Sequence, residues 1–169
     1  MSGRALRHVA AAIIRREDEV VLVRQGAPGE EPFWSFPGGV VEDDELVPEG
    51  LAREVAEETG LEIEGARLAY LRQIDNRRPV ELIGGRPGAG YLVTVWVFEV
   101  ESWRGELAPR DPDGFVQEAR FVPVGEAAER LRRTSWLELG ADYLEGQVER
   151  CSLHFERWHE DGRVQSASA

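Results

Sequence analysis

Short hydrophobic runs separated by polar, glycine-rich segments mark out the predicted elements of this chain. Two β-rich runs, residues 7–15 and 19–25, predict a hairpin or two neighbouring strands. Further strands are predicted over residues 66–74, 91–100 and 118–124, and the run 91–100 is expected to be the most buried of all. A short amphipathic helix is predicted directly after the last of these strands. The chain is therefore expected to combine several strands with a small number of helices.

A second helix is predicted in the stretch LAREVAEET, where the residues are good helix formers. Pro48 suits its opening turn and Gly60 suits its end. At about 100° per residue, Glu54, Glu57 and Glu58 share one wedge of the helix surface, beside an apolar face. Like charges at this spacing destabilise an isolated helix by a few tenths of a kcal/mol per pair. A bound cation therefore explains the acidic face better than helix stability does, and carboxylate oxygens suit Mg²⁺ or Mn²⁺.

A glycine turn and an acidic loop precede this helix. Pro37, Gly38 and Gly39 follow an aromatic run, and the two glycines let backbone carbonyls approach a ligand or metal ion without a Cβ in the way. Glu45 lies in the loop before the helix, where it can accept a hydrogen bond from Arg53 or orient a metal-bound water. The turn, the loop and the helix together predict one polar site.

The stretch from Gly39 to Leu61 resembles the signature of the Nudix hydrolases, G-x5-E-x7-R-E-U-x-E-E-x-G-U, in which U is a bulky apolar residue. Every fixed position is met, by Gly39, Glu45, Arg53, Glu54, Val55, Glu57, Glu58, Gly60 and Leu61. A chance match at this spacing is very improbable, because an ordinary acidic surface helix would not need the arginine, both glycines and the loop glutamate in register.

This resemblance implies an α/β/α sandwich with a mixed, curved sheet and the acidic helix facing a cleft. It also implies metal-dependent hydrolysis of a phosphoanhydride in a nucleoside diphosphate linked to another moiety. Metal ions are expected on Glu54, Glu57, Glu58 and the Gly38 carbonyl, where they would lower the pKa of an attacking water. The expected proton acceptor is Glu54, Glu57 or Glu118, while Arg53 and Glu45 support the site.

Two substrate classes and one non-catalytic function remain open from the sequence. A house-cleaning nucleoside triphosphate pyrophosphatase acting on oxidised nucleotides is the alternative enzyme, and a non-catalytic nucleotide sensor is the alternative from another class. Such sensors typically lose a motif glutamate, and none is missing here. In family members that act on ADP-ribose a proline follows the motif at a set distance, but here that region holds Asp75 and Asn76, with Pro79 too late.

Residues outside the motif supply further candidates for the site. In the family, an acidic residue before the strand 118–124 often joins the metal or acts as the base. Glu118 is the first candidate and Asp113 the second, with an exposed strand-edge carboxylate as the plain alternative. Arg24 ends a strand and suits either a phosphate or a salt bridge. Trp34 precedes the glycine turn, where packing is favoured over stacking on a nucleobase.

A long glycine-rich loop between the strands 66–74 and 91–100 carries Arg77, Arg78 and Arg86. Arginine forks bind phosphate bidentately, so these residues are expected either to bind the substrate or to lie in a merely mobile loop. Beyond about residue 134 the resemblance gives no guide. Phe155 and Trp158 are expected to cover the core or a dimer seam rather than to bind a ligand.

The overall composition limits the partners of the protein. The 169 residues carry a net charge of -12 with a pI near 4.8, which argues against nucleic-acid and anionic membrane surfaces. Small nucleotide substrates remain compatible, and a homodimer is open. Cys151 is the only cysteine, so a reducing cytoplasm is the expected compartment. We expect a single domain over residues 1–169, with a core at about 8–131, an extension at 132–163 and a disordered tail at 164–169.

Overall fold

The computed structural model of the protein describes residues 6–78, 80–82, 86–88 and 90–169, with only the backbone described for the two short middle ranges. The strands are β1 Leu6–Ile13, β2 Arg15–Arg16, β3 Glu19–Gln25, β4 Phe33–Ser35, β5 Gly38–Val40, β6 Glu62–Asn76, β7 Val80–Leu82, β8 Arg86–Gly88, β9 Leu92–Arg104, β10 Val116–Pro123, β11 Ser152–Trp158 and β12 Val164–Ser168. The helices are α1 Val47–Thr59, α2 Val124–Arg132 and α3 Glu138–Leu144, with a 3₁₀ turn at Ser135–Leu137.

The larger sheet has six strands in the order β12-β11-β6-β9-β1-β5. Strand β1 runs parallel to β9 and β11 runs parallel to β6, while the other pairs are antiparallel, so the sheet is mixed. A second sheet has the order β10-β3-β2, with β4 paired to β3. None of the helices in the described ranges has the length and apolar character needed to cross a membrane.

Two apolar clusters lie on opposite sides of the strands. Helix α1 contributes Leu51 and Val55 to one cluster, where they pack with Ala10 and Ala12 of β1. Helices α2 and α3 contribute to the other cluster, which contains Ile13 of the same strand. Because successive residues of a strand face opposite ways, β1 serves both clusters. The helices therefore form two layers with the sheets between them.

Helix α1 follows the sequence signals closely. Pro48 lies in its first turn, and Gly60 caps its end in the left-handed conformation with φ of 78°. The Gly60 N–H donates to the Ala56 carbonyl, so one of the terminal acceptors is satisfied. Only a glycine adopts this cap without strain, since a Cβ at Gly60 would come within 2.7 Å of the Ala108 carbonyl oxygen.

Three expectations about the elements are wrong. The run 91–100 is not the most buried, because β9 buries only Thr94 and Val97 among its residues, and its pocket-side valines border an open pocket. The segment after β6, predicted as one long loop, contains a short hairpin of β7 and β8. The tail is not disordered either, because Val164–Ser168 pairs with β11, whose edge offers free backbone donors and acceptors.

Candidate active site

Arg53 is the centre of a charged network at the start of the site. Its Nε donates to Glu45 Oε1 at 2.6 Å and its Nη2 to Glu45 Oε2 at 3.0 Å, which is a bidentate pair. Its Nη1 donates to Glu54 at 2.9 Å and to Glu57 at 3.3 Å. The hydrogen bond from Arg53 is the main reason that the pKa of Glu45 falls to about 2. Arg53 is thus fixed by the loop glutamate and faces two carboxylates of α1.

Glu58 is the most deeply buried carboxylate of the helix, with 6% of its surface exposed. Burial raises its pKa from 4.5 to about 8, and the charges of Glu54, Asp111 and Glu57 add to the rise. The Gly38 N–H, which donates to Glu58 Oε2 at 2.7 Å, opposes it. Burial also raises the pKa of Glu54, although Arg53 opposes that shift. In the described part of the chain, Glu58 has no cationic partner.

The turn requires glycine at Gly38 and Gly39, because neighbouring atoms lie where a Cβ would be. A Cβ on Gly38 would overlap the Ala10 carbonyl oxygen, and its φ of 149° also favours glycine. A Cβ on Gly39 would lie 2.5 Å from the carboxylate carbon of Glu54. The sequence therefore brings β5 against β1 on one side and against the carboxylates of α1 on the other.

Asp111 joins these glutamates from the loop before β10, and sequence reasoning missed it. Its charge contributes to the raised pKa of both Glu54 and Glu58. Its carboxylate accepts from the N–H groups of Phe115 at 2.7 Å and Val116 at 2.9 Å, which fixes the loop. We call Glu54, Glu57, Glu58 and Asp111 the carboxylate cluster.

The two acidic candidates named from the sequence lie elsewhere. Glu118 is hydrogen-bonded to Arg120, and it stands two residues from it on the same face of β10. Arg120 pairs with Leu22, which belongs to the apolar cluster of α2 and α3. Glu118 therefore shares the face of β10 that carries Arg120, and among the described residues no hydrogen bond joins it to α1. Asp113 is exposed, and the structure joins only its backbone N–H to Asp111.

A pocket of about 380 Å³ lies on the other side of the glycine turn. Gly38 lines it, so a single residue borders both the pocket and the carboxylate cluster. Its lining is mostly apolar and aromatic, with Gln25, Ser35 and Arg72 as polar exceptions. Gln25 donates to Ser35 at 2.6 Å. Such a concave apolar pocket with a few polar groups has the size and character of a small-molecule site.

Trp34 and Arg24 do not line this pocket. The Arg130 guanidinium lies 4.3 Å from the centroid of the Trp34 ring and that of Arg120 lies 5.4 Å from it, so the ring packs against α2 and β10. This agrees with the favoured packing role. Arg24 donates to Gln117 at 3.1 Å, which is neither of the two contacts expected for it.

The loop arginines have partners away from the carboxylate cluster. Arg77 pairs with Asp75 at 3.1 Å on the surface. Arg78 donates to the carbonyls of His159 at 3.3 Å and Gly162 at 2.9 Å, in the turn between β11 and β12. The side chain of Arg86 lies outside the described residues. The structure therefore does not bring Arg77 and Arg78 to the carboxylates.

The sequence model of the NUDIX domain family matches residues 5–139 of the chain. The chain belongs to the NUDIX family. It is 42% identical over 134 residues to the CTP pyrophosphohydrolase of Escherichia coli, which covers 73% of this chain and 92% of that protein. It is 36% identical over 75 residues to a MutT-like protein of Streptomyces ambofaciens, and this match covers 44% of the chain and 47%, about half, of that relative.

Solved structures confirm the Nudix fold. The crystal structure of the mutator MutT protein from Bacillus halodurans has a TM-score of 0.69 and 19% identity, and covers 96% of this chain and 97% of that one. At this identity the likeness concerns the fold alone. The expected α/β/α sandwich with a mixed sheet is confirmed, and the chain is a Nudix hydrolase.

Nudix hydrolases generally use divalent metal ions, and the side chains here fit such an ion chemically. A buried carboxylate with a raised pKa and a peptide N–H as its only described donor gains from a nearby cation. Within the described ranges, however, no three acidic, histidine or cysteine side chains converge into a ready-made site. Arg53 holds Glu54 and Glu57, and Gly38 holds Glu58, so these carboxylates point to protein donors.

Proposed function

We propose that this Nudix pyrophosphohydrolase acts on nucleoside triphosphates and releases a nucleoside monophosphate and pyrophosphate. The observation that carries the proposal is the shared position of Gly38, which borders the apolar pocket and donates to Glu58 of the carboxylate cluster. A substrate whose nucleoside occupies the pocket would have its phosphates beside the carboxylates. The relative named a CTP pyrophosphohydrolase supports this substrate class over a nucleoside diphosphate linked to another moiety.

The metal in this proposal is Mg²⁺ or Mn²⁺, held by Glu54, Glu57, Glu58 and the Gly38 carbonyl. When bound, it offsets the phosphate charge and lowers the pKa of a water molecule. Glu54 and Glu57 are the candidates for accepting the proton from that water. Their side chains keep 16% and 32% of their surface exposed, so a substrate that enters from solvent can reach both carboxylates.

Arg53 and Glu45 keep the carboxylates in place in this proposal. Glu45 neutralises Arg53 through two hydrogen bonds, and a third bond joins Arg53 Nη2 to the Val40 carbonyl at 3.0 Å. The guanidinium thus links the glycine turn to the helix. We assign the additional acidic role expected of Glu118 to Asp111, because Asp111 lies within electrostatic reach of Glu54 and Glu58.

We also propose a partner, a cellular compartment and an oligomeric state for the protein. The partner is a small nucleotide, and the strongly acidic chain supports neither nucleic acid nor membrane as a partner. The single cysteine supports the cytoplasm. The exposed Leu153 and Phe155, which share one face of β11, support a homodimer through this strand, which light scattering would detect.

The test is a substrate panel of normal and oxidised nucleoside triphosphates, nucleoside diphosphate sugars and dinucleoside polyphosphates, each with Mg²⁺ or Mn²⁺. The nucleotide products are separated by chromatography, and phosphate is measured with and without added inorganic pyrophosphatase. Triphosphates should give phosphate only when pyrophosphatase is present, because the first product is pyrophosphate. Glu57→Gln is the inactive control. Cleavage restricted to the linked diphosphates, or direct release of orthophosphate, would refute the proposed substrate class.

A further inference from the structure

Two tryptophans from the C-terminal part of the chain line the apolar pocket. Trp136 belongs to the 3₁₀ turn after α2, and Trp158 ends β11. Trp158 lies beyond residue 139, where the match to the family model ends. The Trp136 ring also meets Phe33 edge to face, with centroids 5.1 Å apart. We call Trp136 and Trp158 the tryptophan walls of the pocket.

One ion pair connects both walls. Arg72 of β6 forms a bidentate pair with Glu156 of β11, with Nε–Oε1 at 2.7 Å and Nη2–Oε2 at 2.8 Å. The third donor of Arg72, Nη1, donates to the Trp136 carbonyl. Trp158 Nε1 donates to Glu156 Oε2 at 2.8 Å. Arg72 therefore holds one wall and Glu156 the other.

This pair is costly to place where it lies. Arg72 is 9% exposed and lines a pocket whose other walls are mainly apolar. A buried ion pair of this kind often adds no stability over apolar residues of similar volume. Burial alone would raise the pKa of Glu156, but the hydrogen bonds from Arg72 and Trp158 leave it lowered. Stability does not explain the pair, whereas the fixed geometry of the walls does.

Arg78 adds a second restraint on the same wall. It donates to the carbonyls of His159 and Gly162, and its guanidinium lies 5.4 Å from the centroid of the Trp158 ring. The turn that follows Trp158 is thus tied to the end of β6. The wall is held on both sides, by Glu156 through the indole N–H and by Arg78 through the turn.

We propose that Arg72 and Glu156 are positioning residues that hold Trp136 and Trp158 in place to bind the nucleoside of the substrate. Indole rings offer a large, rigid apolar surface on which a nucleobase can stack. The C-terminal extension is then part of the substrate site, and its contribution is to affinity for the nucleoside rather than to the reaction at the phosphates. This inference rests on the proposed function, since it assumes a nucleotide substrate.

The decisive variant is Glu156→Gln, which keeps the size of the side chain and removes its charge. Losing the charge-assisted bonds should raise KM for a nucleoside triphosphate by about tenfold and leave kcat within about twofold. Glu160→Gln is the matched control, because Glu160 is exposed nearby and has no side-chain partner within the described residues. Inorganic triphosphate, which lacks a nucleoside, should inhibit wild type and Glu156→Gln equally. The proposal would be overturned if Glu156→Gln and Glu160→Gln had equal KM values. It would also be overturned if Glu156→Gln lost affinity for inorganic triphosphate as much as for the nucleoside triphosphate.

A double-mutant cycle tests whether the ion pair acts through the wall. Trp158→Phe keeps an aromatic ring and removes the indole N–H, so it should raise KM by itself. The double variant should then be no worse than the more damaging single variant, because both remove the same contact. Fully additive effects would refute the positioning role. Circular dichroism checks folding, and if Glu156→Gln is unfolded, Trp158→Phe alone gives the split between KM and kcat.

The proposed function and this inference can fail separately. If wild type cleaves linked diphosphates instead of triphosphates, the substrate class is wrong, and the same KM comparison on the true substrate still decides the role of the walls. If wild type cleaves no nucleotide, quenching of tryptophan fluorescence by a nucleoside triphosphate replaces KM. Quenching that persists unchanged in Trp158→Phe and Glu156→Gln would then refute the inference.

Discussion

Replacing Glu58 by glutamine should stabilise the metal-free protein and at the same time reduce its activity. Glutamine keeps the shape of the side chain and can still accept the hydrogen bond from Gly38. It removes a charge that is costly in this buried place, as the rise of the Glu58 pKa to about 8 indicates. A residue retained at a cost to stability fits a functional role for its charge.

The size of the effect follows from the pKa of Glu58. Between pH 4.5 and about 8 the unfolded chain releases this proton while the folded protein keeps it, so stability falls as pH rises. Each pH unit costs at most about 1.4 kcal/mol, which gives an upper limit of roughly 4 kcal/mol at pH 8. Relaxation around the charge reduces this, and we expect about 2 kcal/mol, or roughly 4–8 °C in Tm.

The assay is thermal unfolding in a chelator at pH 5, 6, 7 and 8. The difference in Tm between wild type and Glu58→Gln should be smallest at pH 5, because this pH lies only about half a unit above the ordinary pKa of 4.5. The variant should melt higher at pH 8. Glu129→Gln changes an exposed residue of α2 and is the control. Its Tm difference from wild type should not grow with pH. A gap independent of pH, or a variant that melts below wild type at pH 8, would refute the reasoning.

The activity of the same variant gives the second half of the test. The kcat of Glu58→Gln should fall by about 10²-fold or more, on the scale of losing one strong transition-state interaction. A stable variant with a near-normal kcat on a cleavable substrate would remove Glu58 from the metal site. The melting curves of the variant show whether any loss of activity comes from unfolding.

Three further predictions concern the metal, the turn and the loop. Millimolar Mg²⁺ or Mn²⁺ should raise the Tm of wild type by mass action and raise that of Glu57→Gln less, whereas equal responses would misplace the site. Gly39→Ala should lower kcat with little loss of Tm, because only the flexible end of a glutamate must move. Gly38→Ala should instead lower Tm markedly, since its Cβ meets backbone, and equal Tm losses would contradict this. Arg78→Ala should raise KM several-fold, because it frees the turn between β11 and β12. Arg77→Ala, which removes only an exposed ion pair with Asp75, should leave KM unchanged. An unchanged KM in both variants would disprove the role of Arg78.

The local parts of the site could be predicted from the sequence because their signals are local. The period of α1, its proline start and its glycine end decide which face of the helix carries the glutamates. The pairing of Glu45 with Arg53 spans only eight positions and follows from the spacing in the motif. The role of Gly38 was expected for its carbonyl, and the structure adds its N–H as a donor to Glu58.

The other parts depend on contacts between distant segments. Arg72 and Glu156 are 84 positions apart, and neither interrupts a hydrophobic pattern in a way that marks it as buried. Asp111 lies in a loop whose path along the end of α1 is set by backbone bonds, such as that from the Arg110 N–H to the Glu57 carbonyl at 2.7 Å. A proline-rich loop gives no periodic signal for such a path. Trp158 was expected to cover the core or a dimer seam, because an aromatic residue in the sequence does not show whether its ring lines a pocket.

The Arg53 network fixes the arrangement of the carboxylates that form the proposed metal site. In the structure Arg53 is the counterion of Glu54 and Glu57, which would otherwise repel each other and the rest of the carboxylate cluster. A divalent ion at the proposed site would compete with the guanidinium for the same two carboxylates. Arg53 would then lose two partners, but Glu45 and the Val40 carbonyl keep it in place. The bidentate Glu45 pair would therefore keep Arg53 in place when an ion binds, which gives the loop glutamate a proposed role that needs no contact with metal or substrate.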